Sequence, residues 1–175
     1  LPILMRQAED SPIPTAATCI REGRVPELDV FSGQESGIYL LPTSKKERLS
    51  AWKAVYEELR GRWHTGEVMA VAGLNASVDW LNLEASASYR RAKGQPALLR
   101  LGPFATVAVG EPVICRQNRY SDGLFNGLLG SVASTADDRL SVHWEGVPEA
   151  RPLSAEAAAD ISLGYAMTCH KSQGS

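Results

Sequence analysis

Tyr165-Ala166-Met167-Thr168-Cys169-His170-Lys171-Ser172-Gln173-Gly174-Ser175 closes the sequence, and within it a small, apolar run turns abruptly into a polar cluster. A strand ending here presents Thr, His, Lys, Ser and Gln together. Such a strand-to-helix junction can hold phosphates through free backbone N–H groups and hydroxyls. The sequence stops where a helix is expected to begin, so it reads as a piece of something larger.

Working back from this segment, the same grammar recurs upstream. Val68 to Ala72 reads as a strand, and Asn75 can cap the helix that follows, with Val78, Leu81, Ala85 and Tyr89 on its inner face and its end near Gly94. Further back, Ser44 and Glu47 make a capping box ahead of a helix carrying Leu49, Trp52, Tyr56, Leu59 and Trp63 along one side. Ile38 to Leu41, closed by Pro42, reads as a buried strand after a loop from Val25 to Ser36. Ser11-Pro12 opens a short amphipathic helix with Ile13, Ala16, Ala17 and Ile20 in register as far as Gly23. Helix, strand, helix, strand, helix argues for a parallel sheet with helices on its faces.

Near Gln95 the pattern changes. Short runs at 98–101, 105–109, 112–116, 129–134 and 140–144 are separated by turn signals such as Gly102-Pro103, Asp122-Gly123, Asn126-Gly127 and Gly146. A small antiparallel barrel or sandwich fits this spacing. Ile161 to Met167 reads as a return strand of the first sheet. The β-rich stretch 96–160 is then an insert in an α/β domain formed by 1–95 and 161–175.

Composition bounds the function classes. The chain has 175 residues, 44% hydrophobic and 22% charged, with a formal net charge of −2. That size allows one good core or a domain with an insert, and the charge argues against a generally basic nucleic-acid coat. Local patches remain open at Arg60 and Arg62, at Arg90, Arg91 and Lys93, and at Arg116 and Arg119, where plain solvated surface is the ordinary role. Cys19, Cys115 and Cys169 are scattered and form no metal-type spacing, which favours a reducing, cytoplasmic setting and no metal site. No apolar stretch is long enough to span a bilayer. A Gly-x-x-x-x-Gly-Lys-Ser/Thr phosphate loop is absent, and no Ser-His-Asp order or Cys-His pair stands out, so a complete active site is not encoded in these residues. His64 and His143 are expected in surface or packing roles, Trp52 and Trp63 in the interior, and Phe125 in the core.

Several elements in order resemble the superfamily 1 DNA helicases of the RecD and TraA type, relatives of the bacterial exonuclease V alpha subunit and the conjugative relaxase-helicases. They are Met5-Arg6-Gln7 with the helix to Gly23 and then Val25-Pro26, the strand ending at Asn75, Gly123-Leu124-Phe125-Asn126-Gly127 with Gly130 beyond it, and Tyr165 to Ser175. The resemblance runs over nearly the whole chain, and its most specific part is the last. It implies the second RecA-like motor domain with an SH3-like insert, whose partner, the first RecA-like domain, carries the phosphate loop and the Mg²⁺-binding acid. The complete protein is then expected to be an ATP-dependent DNA helicase with 5′-to-3′ polarity, acting on single-stranded DNA with ATP and Mg²⁺. This chain alone should bind no cofactor and hydrolyse no ATP.

By the same resemblance, Arg6 matches the arginine that reaches the γ-phosphate. A guanidinium fork suits that role, because it neutralises charge spread over the transferring phosphoryl oxygens, worth roughly 10³ to 10⁵ in rate. Gln7 and Gly174 match positions beside the nucleotide. Asn75, Thr168, His170, Lys171, Ser172 and Gln173 match groups that contact single-stranded DNA. Asn75 serves equally as a helix cap. Two departures stand in the insert: Leu128 lies where relatives often carry an acid, and Glu111 where an aspartate is more usual. A non-catalytic nucleic-acid- or protein-binding module is the rival reading, motivated by the missing phosphate loop.

Overall fold

The structure, a computed structural model, describes residues 12–34, 37–62, 68–94, 96, 98–101, 105–136 and 139–172, with Ala105, Lys171 and Ser172 described by their backbone alone. It divides into two compact units, 1–58 and 59–175.

In the first unit, helix α1 spans Pro12–Arg21. Proline suits its first position, since the ring presets φ and the missing N–H would have had no helical partner. None of its residues is buried, and Ile13 and Ile20 stay exposed. Two short strands, β1 (Asp29–Val30) and β2 (Tyr39–Leu40), pair in parallel with Asp29 opposite Tyr39. The first of these lies in the stretch expected to be loop, because two residues carry no readable alternation. Helix α2 spans Arg48–Arg62 and crosses the division between the units. The Ser44–Glu47 pair forms ahead of it: the Glu47 N–H donates to Ser44 Oγ at 3.3 Å, and that hydroxyl donates to Glu47 Oε2 at 2.6 Å. Tyr56 is the one buried residue of α2, stacked on a half-buried Trp52 with ring centroids 4.9 Å apart.

The second unit opens with β3 (Ala70–Ala72) and α3 (Asn75–Ala92). The expected inner stripe is real, since Leu81, Ala85 and Tyr89 are buried. Then come β4 (Leu99–Leu101) and β5 (Ala105–Val107), an antiparallel pair. The remaining strands are β6 (Pro112–Cys115), β7 (Leu129–Ser134), β8 (Ser141–Trp144) and β9 (Arg151–Pro152), with helix α4 (Ala155–Ala159) before β10 (Ile161–Leu163). They form an antiparallel sheet in the order β10-β6-β7-β8-β9. Every residue of β6 is buried, as a central strand requires. Strand β11 (Ala166–Thr168) pairs in parallel with β3, and α5 (Cys169–Ser172) follows at once. The chain is thus a mixed α/β protein with parallel pairs and a β-rich segment between β3 and β11.

The single return strand expected over 161–167 is two strands in two sheets. Ile161 and Leu163 pair antiparallel with β6, whereas Ala166 to Thr168 pair with β3. Gly164 makes the change possible: its N–H donates to the Pro112 carbonyl at 2.8 Å, and a Cβ there would meet the Val113 backbone at 2.9–3.0 Å. Both strands are largely buried, so the sequence shows a mostly apolar run that reads as one strand.

Candidate nucleic-acid interface

Strands β3 and β11 run the same way and in register, Ala72 beside Thr168, so both deliver their C-terminal ends to one edge. In open α/β sheets that edge is where ligands settle, because the loops and helix starts that follow converge there. Beyond β3 the chain turns through Gly73-Leu74 into α3, and beyond β11 it enters α5. The result is a cleft of about 360 Å³ whose lining includes Asn75, Asp79, Asn82, Arg116, Ser162 and Thr168.

Two of the residues singled out from sequence, Asn75 and Thr168, therefore share a cleft although far apart in the chain. Asn75 does not cap its helix. Leu74 occupies the cap position in extended conformation with no side-chain bond, and Asn75 is the first helical residue, exposed to solvent. Thr168 is the last residue of β11 and half-buried. His170 is exposed in the first turn of α5, which also contains the backbones of Lys171 and Ser172. The polar cluster expected at a strand end is thus divided, Thr168 on the strand and His170, Lys171 and Ser172 on a helical turn. Arg6, Gln7, Gln173 and Gly174 lie outside the described residues, as do His64 and Trp63.

The cleft is held by residues that periodicity did not single out. Asn82, on the buried face of α3, bonds both backbone groups of Ala166. Its signal was a polar residue four positions after Val78 on an otherwise apolar stripe. Glu111 is fully buried and gathers four donors: Ala108 N–H at 2.6 Å, Arg90 Nη2 at 3.2 Å, Tyr165 O–H at 3.2 Å and the Ser86 hydroxyl. It belongs to the interior of the second unit. One carboxylate ties α3, the turn before β6 and the residue preceding β11. Arg90 is also bound to Thr106 through its hydroxyl at 2.9 Å and its carbonyl at 2.6 Å, so it is no free surface cation.

Nearby, the Tyr89 hydroxyl donates to the Val109 carbonyl at 3.0 Å. Burial pushes this phenol above its ordinary range, and the Glu111 carboxylate adds to the rise while Arg60 opposes it. Gly110 sits under the ring edge with φ +84°, where a Cβ would strike the hydroxyl. On the connection between β6 and β7, Arg119 donates to Asp160 Oδ2 at 2.6 Å and to the Glu156 carbonyl at 3.0 Å. The bond to Asp160 raises its pKa.

Phe125 is half-exposed, edge-on to an exposed Tyr120 at 5.9 Å, and Leu124 fills the core position in its place. That overturns the core assignment. His143 is exposed and Trp144 buried. Among the described residues, no three His, Cys, Asp or Glu side chains gather as metal ligands, and no helix is long and apolar enough to cross a membrane.

No protein-family model matches the chain. Over 66 residues it is 36% identical to the ATP-dependent RecD2 DNA helicase of Deinococcus radiodurans, a match covering 38% of this chain and 9% of that protein. Two solved structures share its fold. Bacteroides Pif1 bound to ssDNA aligns over 98% of this chain and 42% of its own, with a TM-score of 0.52 and 17% identity. The structure of two coordinating Pif1 helicases on forked duplex DNA aligns over 98% and 40%, with a TM-score of 0.53 and 18% identity. The chain resembles superfamily 1 DNA helicases in sequence and in fold. This helicase-like chain spans less than half the length of the structures it matches.

Proposed function

We propose that the chain is part of the second RecA-like motor domain of an ATP-dependent DNA helicase, with 1–95 and 161–175 as the motor part and 96–160 as an SH3-like insert. The observation that carries this reading is the meeting of Asn75 and Thr168 at one cleft, beyond the ends of two parallel strands. Both have side chains that hold a phosphodiester without reading bases, as a motor that steps along single-stranded DNA requires. His170 is exposed in the helical turn beyond β11, and by the resemblance Lys171, Ser172 and Gln173 act with it on the same strand of DNA. By the resemblance, Arg6 acts with Gln7 and Gly174 on ATP bound by the first motor domain, its guanidinium neutralising charge that develops on the γ-phosphate. Mg²⁺, held by that other domain, would supply positive charge that offsets the charge of the nucleotide's phosphates. Polarity is 5′ to 3′ and the setting cytoplasmic. Lacking a phosphate loop of its own, this chain hydrolyses no ATP by itself.

Steady-state ATPase and DNA-binding measurements on the complete protein test the reading. Arg6→Ala should abolish most turnover and leave DNA binding intact. Unchanged turnover would remove the arginine from the γ-phosphate, and enzyme-like turnover by the 175-residue chain alone would refute the division between two domains.

A further inference from the structure

We propose that Arg116 supplies the cation of a phosphodiester subsite in the cleft between α3, β6, β10 and β11, so that the antiparallel sheet grips single-stranded DNA together with the parallel pair. This rests on the DNA-binding reading above and adds a residue from the β-rich segment.

Two other arginines of the second unit are already committed. Arg90 is bound to Glu111 and Thr106, and Arg119 to Asp160 and Asp122. Arg116 lines the cleft and has no carboxylate partner among the described residues; its one described side-chain bond runs from Nη2 to the Ala159 carbonyl at 3.1 Å. That bond, with the Arg116 N–H on the Asp160 carbonyl at 2.9 Å, anchors the residue just beyond β6 and leaves other guanidinium donors for a ligand. Around it the lining offers neutral groups: the Asn75 carboxamide and the hydroxyls of Ser162 and Thr168. A guanidinium with a carboxamide and hydroxyls matches phosphate oxygens better than it matches base edges or an apolar ligand. Asp79 also lines the cleft, one turn along α3 from Asn75. Its charge opposes a phosphate, so its removal gives the test a second, opposite arm.

Fluorescence anisotropy with a labelled oligothymidylate and the 175-residue chain, titrated over a series of salt concentrations, decides the matter. Arg116→Gln should weaken binding roughly three- to tenfold and flatten the slope of log K against log salt by about 0.7, the share of one phosphate contact on a single strand. Arg116→Lys should keep the slope, and Asp79→Asn should tighten binding. Arg139→Gln, a loss of charge elsewhere on the same unit, should leave the slope alone. Thermal melts of each variant separate lost contact from lost fold; should Arg116→Gln fail to fold, the Lys and Asp79 variants still decide. Unchanged affinity and slope in Arg116→Gln, with weakened binding in Asn75→Ala or Thr168→Ala, would overturn this inference and spare the broader reading. An equal loss in Arg139→Gln would also overturn it, by making the effect one of diffuse charge. No binding by the unaltered chain at low salt would overturn both.

Discussion

The Asn82 carboxamide closes a ring with the backbone of Ala166: Oδ1 accepts the Ala166 N–H at 2.9 Å, and Nδ2 donates to its carbonyl at 3.3 Å. A side chain in the middle of α3 thereby substitutes for a neighbouring strand along the free side of β11. Helix and strand are fixed to each other just where the cleft opens.

Asn82→Ala leaves a buried N–H and carbonyl unpaired. Urea unfolding should show a loss of about 1–3 kcal/mol, the cost of stranding such groups. Hydrogen exchange should accelerate at Ala166 to Thr168 before it does in the antiparallel sheet.

Glu111→Ala removes the acceptor shared by Ser86, Arg90, Ala108 and Tyr165 and leaves the largely buried Arg90 without its counter-ion. Breaking a buried pair from one side costs about 3–5 kcal/mol. The midpoint of urea unfolding should fall accordingly, and Glu111→Gln, which keeps an acceptor oxygen, should fall less. Equal stability of both variants with the unaltered chain would remove the hub.

Tyr89 sets an alkaline limit. Its folded pKa is raised, so the stabilisation is complete below the unfolded value, about 10, and is lost as pH rises through the higher folded value. Thermal melts from pH 8 to 11 should hold steady and then decline. Tyr89→Phe should be less stable at pH 8, having lost its bond to Val109, and should show a shallower alkaline decline.

Leu124 and Phe125 are neighbours with opposite fates. Leu124→Ala should cost about 2–5 kcal/mol, the range for emptying a buried leucine site, because that side chain is 1% exposed. Phe125→Ala, with a ring 50% exposed, should cost well under half as much. Chemical denaturation of the two single variants gives the comparison directly.

Much of this architecture was legible in the residues. Leu81, Ala85 and Tyr89 announced α3 by their spacing, and the turn signals between short apolar runs announced the antiparallel sheet. What stayed hidden depended on three-dimensional neighbours. A mostly apolar run from Ile161 to Met167, with only Ser162 and Gly164 in it, reads as one strand and does not reveal a change of partner, because both strands are largely covered. Leu124 and Phe125 are both apolar, and only the direction of the turn decides which points inward. Asn75 and Thr168 could be named from the resemblance, but Arg116 and Ser162 join them only through the pairing of β6 with β10. Asn82 and Glu111 show the same limit from the polar side: a buried amide or carboxylate is explained by its partners, and those lie 84 and up to 54 residues away in sequence.

The hinge at Gly164 also governs how the protein can be taken apart. Ile161 and Leu163 owe their cover to the antiparallel sheet, while three residues later the chain is already stitched to Ala70 and its neighbours. Trimming away 96–160 would strip β6 from β10 and leave two oily side chains facing water beside an unpaired edge, an invitation to self-association. The β-rich segment is no detachable accessory. Its removal would cost the rest of the chain solubility before any question of activity arose.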